Sequence, residues 1–220
     1  MIPGADGMPR YVAIVGNGPL GDLDGREIDG ADFVMRFNFP PYGPERGGNR
    51  TDMMVLVNSG KLLGLWFRDP AFLSNVYIRG ARRVILPWHP DAIRRWHPTP
   101  KFRERVERRI VTRKEHWTRQ AFERFGRMGK EVSLLPASLA AQCFEDLQLA
   151  ATDWRIPSTG FLGIRHALHS FPDHPLRLFG FIWEGWEGHD WAAERTWLAR
   201  QGRVRMPGEG NGQVEAAVRG

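Results

Sequence analysis

Short, uninterrupted apolar runs alternate along the chain with longer segments whose apolar positions recur every three or four residues. The runs are YVAIVG (11–16), DFVMRFN (32–38), DMMVLVN (52–58), RRVILP (82–87), EVSLLP (131–136) and LRLFGF (176–181), and each reads as a strand. Helices are expected near 61–67, 101–127, 136–148, 159–169 and 190–200, with a short helical or turning link between the first two strands. Apolar strands separated by helices predict an α/β fold in which a mostly parallel central sheet is flanked by helices on both sides. The stretch FNFPPYGPERGGNRTD (37–52) is too rich in Pro and Gly to continue either element and is expected to be a loop. Residues 1–9 and 207–220 offer little apolar surface to offset the entropy of ordering, so they are expected to be flexible and 10–206 to form a single domain.

The charge pattern adds a feature that periodicity does not show. The formal charge is +6, yet residues 101–130 alone carry eleven Lys or Arg against four Glu. Glu104 and Arg108, Glu115 and Arg119, and Glu123 and Arg127 stand four apart, the favourable order for pairs on a helix surface. Such a segment suits a solvated helical face, or peripheral contact with an anionic membrane, glycolipid or polyanionic acceptor. No ordered aromatic and basic motif accompanies it, so nucleic acid is not expected as a partner. There is no apolar stretch of 18 residues and no signal-like start, which points to a cytoplasmic protein. The lone Cys143 rules out an intramolecular disulfide, and no HExxH spacing offers a zinc site. Four of the nine tryptophans, Trp183, Trp186, Trp191 and Trp197, crowd toward the end, where they could pack or line a ligand cleft.

Candidate chemistry begins at VAIVGNGPLG (12–21), where Gly16, Gly18 and Gly21 satisfy GxGxxG directly after a strand. A dinucleotide site would end its second strand near an acidic residue, whereas Asp32 begins that strand and Arg36, Phe37 and Asn38 end it. The glycines equally suit a tight strand exit. Asn17 and Asn38 fall just beyond strand ends, at the mouth of a parallel sheet, where a carboxamide can meet a nucleotide or hydrogen-bond its own turn. Ser158 and Thr159 precede an apolar helix and can cap it, while the same helix start, with Gly160, presents amides to an anion. Taken alone, His189 reads as a surface histidine at a helix start.

Three ordered segments narrow this. Gly25, Ile28, Asp29, Asp32, Val34, Arg36, Asn38, Gly48, Arg50 and Thr51, in the stretch 11–52, resemble the large motif of the eukaryotic-type sialyltransferases, glycosyltransferase family 29. PSTGFLGIRHALHSFPDHPLRLFGF (157–181) is similar to the small motif, and GHDWAAERTWL (188–198), with His189 and Glu194, to the very small motif. The resemblance implies a GT-A-like variant nucleotide-sugar glycosyltransferase fold. It further implies inverting transfer of an acidic sugar, sialic acid or a related nonulosonate or Kdo-like sugar, from a CMP-activated donor to a hydroxyl of a glycan or glycolipid. No cofactor and no metal are expected.

By the same resemblance, Gly16, Asn17, Gly18 and Asn38 would hold the CMP phosphate and ribose. Ser158, Thr159 and Gly160 would hold the donor carboxylate or ribose, and His189 would be the general base. Imidazole, with a reference pKa of about 6.5, is suited to taking a proton from an attacking hydroxyl. Asp29, Arg36, Arg50 and Glu194 would support the site, Asp29 by binding loop amides and Arg36 through a carboxylate pair.

The chain departs from the family in two places. Tyr11 and Ser170 stand where the family's motif-joining disulfide would lie. FIWEGWEG (181–188) has no histidine to assist the phosphate, and Glu184 and Glu187 would repel one. Asp22, Asp24, Asp29 and Asp32 cluster without the downstream Asp-x-Asp pair of metal-dependent glycosyltransferases. A catalytically weak or inactive CMP- or glycan-binding module is therefore the alternative.

Overall fold

The structure, a computed structural model, describes residues 11–96, 116–150 and 154–207. Its strands are β1 (Val12–Val15), β2 (Phe33–Phe37), β3 (Met53–Val55), β4 (Arg83–Leu86), β5 (Glu131–Leu134), β6 (Leu176–Phe179) and β7 (Val204–Arg205). They form one sheet in the order β5-β4-β3-β2-β1-β6-β7, and every pairing is parallel. The six apolar runs each supply a strand. β7 was not legible because it is two residues long and only Val204 of it is buried.

Alternation along the strands sorts the core onto two faces. Val12, Ile14, Met35, Phe37, Met53, Val55 and Ile85 point to one side, where Phe144, Leu162, Ile164 and Leu198 cover them from helices Ala137–Asp146, Thr159–Ser170 and Trp191–Ala199. Met54, Val84 and Leu86 point to the other, beneath Leu63, Phe72, Ile78 and Phe125. Ala13, Val15 and Val34 share that second side with Ile28 of helix Asp24–Gly30. The helices on both faces are the flanking layers that the apolar strands require.

Several helices differ from expectation. The loop expected over 37–52 contains one helical turn, Pro44–Gly47, started by a proline whose missing N–H is no loss at that position. Pro70–Ser74 and Val76–Gly80 are too short to show a helical period, and each is begun by a side chain, Asp69 and Asn75, that accepts a backbone N–H. Of the basic segment, helix Thr118–Arg127 is described, and residues 101–115 lie outside the described residues, as do 1–9 and 208–220. No helix among the described residues is long and apolar enough to cross a membrane. Tyr11 is buried at the entrance to β1, where its hydroxyl donates to the Glu27 carbonyl. Burial lifts the Cys143 thiol to about 12.

The strand order places β1 between β2 and β6, so connections leave in opposite directions from β1. Brought together at this reversal are the carboxyl ends of β1 and β6, the place where parallel sheets open a crevice. The two exits touch through their backbones. Gly16 N–H donates to the Phe179 carbonyl at 2.7 Å, and Gly18 N–H donates to the Gly180 carbonyl at 2.8 Å. A methyl group on Gly16 would collide with the Gly180 carbonyl oxygen, and one on Gly18 would lie 2.8 Å from the same atom. Gly180 itself has φ of 64°, a conformation that favours glycine.

Gly16→Ala is expected to destabilise the protein by about 1–3 kcal/mol, the range for overpacking where backbone must move. Urea unfolding of the variant checks this, with the midpoint falling at unchanged slope.

Candidate active site

Each candidate segment leaves the sheet at its carboxyl edge. Asn17 follows β1 and is exposed, and its side chain has no hydrogen bond to another described residue. Asn38 follows β2 in the left-handed region at φ of 54°, where its Oδ1 accepts the Val57 N–H at 3.0 Å. Turn bonding therefore takes the oxygen of Asn38 and leaves its amide end unbonded among the described residues. Asp32, by contrast, immediately precedes β2 at the opposite edge of the sheet, away from where a dinucleotide's ribose would need a carboxylate.

Phe181, just after β6, joins these exits to the helix that starts at Thr159. Its ring lies 3.1 Å from a methyl placed on Gly16 and 3.2 Å from one placed on Gly160, and packs edge-on to Phe37 at 6.0 Å. The Gly16–Gly18 loop and the helix start are thus neighbours across a single aromatic ring. No sequence signal singled out Phe181, because its importance is one of position.

At the helix start, Ser158 accepts the Phe161 N–H on its hydroxyl at 3.0 Å, the N-cap bond expected of it. Its own N–H and O–H donate to the two oxygens of Glu194, each at 2.7 Å. Ser158 is fully engaged within the protein, so it fixes the helix start while Thr159 and Gly160, at the first two helical positions, carry the amides that can meet an anion. Glu194 is 1% exposed, and burial pushes its carboxyl up to about 7 despite the Ser158 bonds that pull the other way.

Three further contacts bind the same two segments. Ile156 N–H donates to the Gly188 carbonyl at 2.9 Å, Arg155 pairs with Asp190, and Asp190 caps helix Trp191–Ala199 by accepting the Ala193 N–H. His189 Nδ1 lies 2.7 Å from the Ile156 carbonyl oxygen. A carbonyl only accepts, so Nδ1 carries the proton and Nε2 keeps its lone pair. Burial lowers the pKa of this ring, partly offset by the Ile156 bond, and so favours the neutral imidazole. Sequence reasoning could not find Ile156, whose contribution is a backbone oxygen.

The supporting residues form a knot beside β2. Asp29 accepts the N–H groups of Asn49 and Arg50 at 2.7 and 2.9 Å, the loop-amide role expected of it. Arg36 differs from expectation. Only 1% exposed, it has no carboxylate partner among the described residues. Its guanidinium donates to the Gly47 and Arg50 carbonyls and to Thr51 Oγ1, and it lies over the Tyr77 ring at 3.9 Å. Carbonyl dipoles replace a charge partner, and burial brings this guanidinium down to about 10. Arg50 reaches back to the carbonyls of Ala31 and Asp32 and to Asp52.

The acidic cluster does not converge: Asp29 serves Asn49 and Arg50, and Asp24 accepts the Gly21 N–H at 2.8 Å. A separate cleft of about 330 Å³ lies at the amino edge, among the first residues of β3, β4 and β5, with His166 and Ser170 on its wall. It is remote from the convergent exits.

The family glycosyltransferase family 29 (sialyltransferase) matches residues 8–192. A curated relative, the urease operon 23 kDa accessory protein of Rhizobium meliloti (strain 1021), is 29% identical over 205 residues, covering 89% of this chain and 92% of its own. A crystal structure of a mammalian sialyltransferase in complex with Gal-beta-1-3GalNAc-ortho-nitrophenol matches at a TM-score of 0.49 and 21% identity, over 90% of this chain and 69% of that one.

The Glu194 carboxyl sets a pH dependence. Its folded pKa lies above the value of about 4.3 for a free glutamate, so the folded state binds the extra proton between the two. Its stabilising contribution is complete below that lower value and is lost as pH rises through about 7. Thermal unfolding should show the melting temperature of the wild type falling from pH 5 to pH 8, with that fall reduced in Glu194→Gln.

Proposed function

Because the chain belongs to glycosyltransferase family 29, the sialyltransferase family, we propose that it transfers an acidic sugar from a CMP-activated donor to a hydroxyl of a glycan or glycolipid, with inversion at the anomeric carbon. The observation that carries this is the imidazole of His189, held by its Nδ1 on the Ile156 carbonyl with Nε2 left basic. An acceptor hydroxyl gives its proton to Nε2 as its oxygen forms the new bond to the anomeric carbon. The electron pair of the breaking bond leaves with CMP.

The departing phosphate needs positive potential more than a proton. The amides of Thr159 and Gly160, without an acceptor among the described residues, supply it, together with the dipole of the 12-residue helix behind them. Asn17 and the amide end of Asn38 supply neutral donors at the adjoining exits. The Glu194 clamp on Ser158 keeps the helix start and His189 in fixed relation, since both lie on segments it joins. In this reading no metal takes part, and transfer is expected to survive dialysis against EDTA.

A second reading has one specific observation in its favour. The turn after β6 carries Glu184 and Glu187 and no histidine to assist the phosphate, which fits a CMP- or glycan-binding module that does not turn over. The accessory-protein name of the 29% identical relative is compatible with such a module. CMP release from a panel of CMP-sugars, with and without acceptors, separates the two.

His189→Ala is expected to keep CMP binding and to lower transfer by roughly 100-fold, the scale of lost proton-transfer assistance. In the wild type, the acid limb of the rate profile should fall below the ordinary imidazole value, following the lowered pKa of His189. CMP binding without turnover, unaltered by His189→Ala, would establish the module instead. Action in the cytoplasm, with the basic segment 101–130 against an anionic membrane surface, completes the proposal. Purified protein should co-sediment with anionic vesicles at low salt in excess of neutral ones.

A further inference from the structure

Two indoles bracket the imidazole of His189. The rings of Trp186 and Trp191 each stand edge-to-face to it with centroids 4.9 Å away, at interplanar angles of 89° and 82°. The Trp186 carbonyl accepts both the Trp191 Nε1–H and the His189 N–H, each at 3.2 Å, so the turn, the histidine and the helix start share one acceptor. Trp186 nevertheless remains 53% exposed. The other late tryptophans differ: Trp197 packs on Phe161, and Trp183 leans on Phe181.

The turn is built to present this ring. A side chain on Gly188 would collide with the six-membered ring of Trp186, so the glycine makes room for it. Trp183 has φ of 56°, a conformation a tryptophan keeps only where surrounding structure enforces it, and Gly185 has φ of 140°, which its missing side chain allows. Glu184 and Glu187 lie on the same turn, both exposed.

We propose that Trp186 is the acceptor platform of this site, stacking the apolar C–H face of a neutral pyranoside so that one of its hydroxyls reaches Nε2 of His189. The inference rests on the transferase reading and specifies its acceptor. An indole face is negative and attracts the polarised C–H bonds that an axial hydroxyl leaves clear on one side of a sugar ring. Glu184 and Glu187 then favour the uncharged sugar, because a carboxylate accepts hydroxyl hydrogen bonds strongly and repels a sulfate, phosphate or second carboxylate. A nucleotide is excluded from this side by the same charges.

Methyl β-galactopyranoside and its 6-sulfate are the probes, followed by saturation-transfer difference NMR on CMP-loaded protein. The neutral glycoside should receive saturation at its ring C–H protons and the sulfate little. Trp186→Ala should weaken the neutral probe about tenfold and raise the acceptor KM by a similar factor with kcat little changed, and Trp186→Phe should recover most of the loss. Unaltered affinity in Trp186→Ala, equal binding of the sulfate, or no binding of the neutral probe to the wild type would each overturn the platform. CMP titration keeps the two proposals apart. A wild type that does not bind CMP defeats the transferase reading itself. If Trp186→Ala binds CMP like the wild type, it is folded, and an unchanged probe affinity then removes the platform alone.

Discussion

Contact between two backbones, with no side chain between them, sets the geometry of the site. The exits of β1 and β6 approach so closely that Gly16 and Gly18 hydrogen-bond directly to Phe179 and Gly180. A Cβ at either glycine would force the exits apart. Everything beyond depends on this separation. Phe181 reaches both Gly16 and Gly160 only because β6 ends where it does, and the helix start follows Phe181. The three glycines that satisfy a nucleotide-loop expression thus include two whose absent side chains serve strand packing. Their N–H groups already have protein acceptors and are not open to a ligand.

A second constraint joins the late segment to the site. Glu194 reaches Ser158, His189 reaches Ile156, and Gly188 receives Ile156 N–H. These are polar contacts in a buried setting, where an unpaired group would be costly and a paired one is held firmly. The carboxylate that matters most to the arrangement is the one farthest from solvent. Glu194 contributes by orientation, and its separation of five residues from His189 reflects two different elements: the histidine precedes the helix that carries the glutamate.

Much of the architecture could be read from the chain because burial on both faces leaves a plain mark. Six apolar runs gave six strands, and the parallel sheet followed from the helices between them. The motif positions were legible too, as was the role of Asp29. What escaped was chemistry supplied by the backbone. Arg36 was expected to pair with a carboxylate and instead engages carbonyls of Gly47 and Arg50. The partner of His189 is likewise a carbonyl, on Ile156. Carbonyl oxygens occur at every residue, so no letter in a sequence marks the few that a fold selects. The short helices Pro70–Ser74 and Val76–Gly80 escaped for another reason: a single turn is set by its capping residues, and it ends before a hydrophobic period can repeat.

The place of β1 between β2 and β6 has a consequence for how the molecule is made. Val12 pairs with Leu176, so this interior strand, synthesised early, waits for a neighbour that leaves the ribosome much later. Until then one edge of β1 lacks its ladder, an opening for pairing with another chain. Contacts this distant in sequence slow folding. A nascent or truncated chain that stops short of Glu194 would hold most of its sheet and none of the clamp that orders the helix start. Competence to act arrives with the last third of the chain.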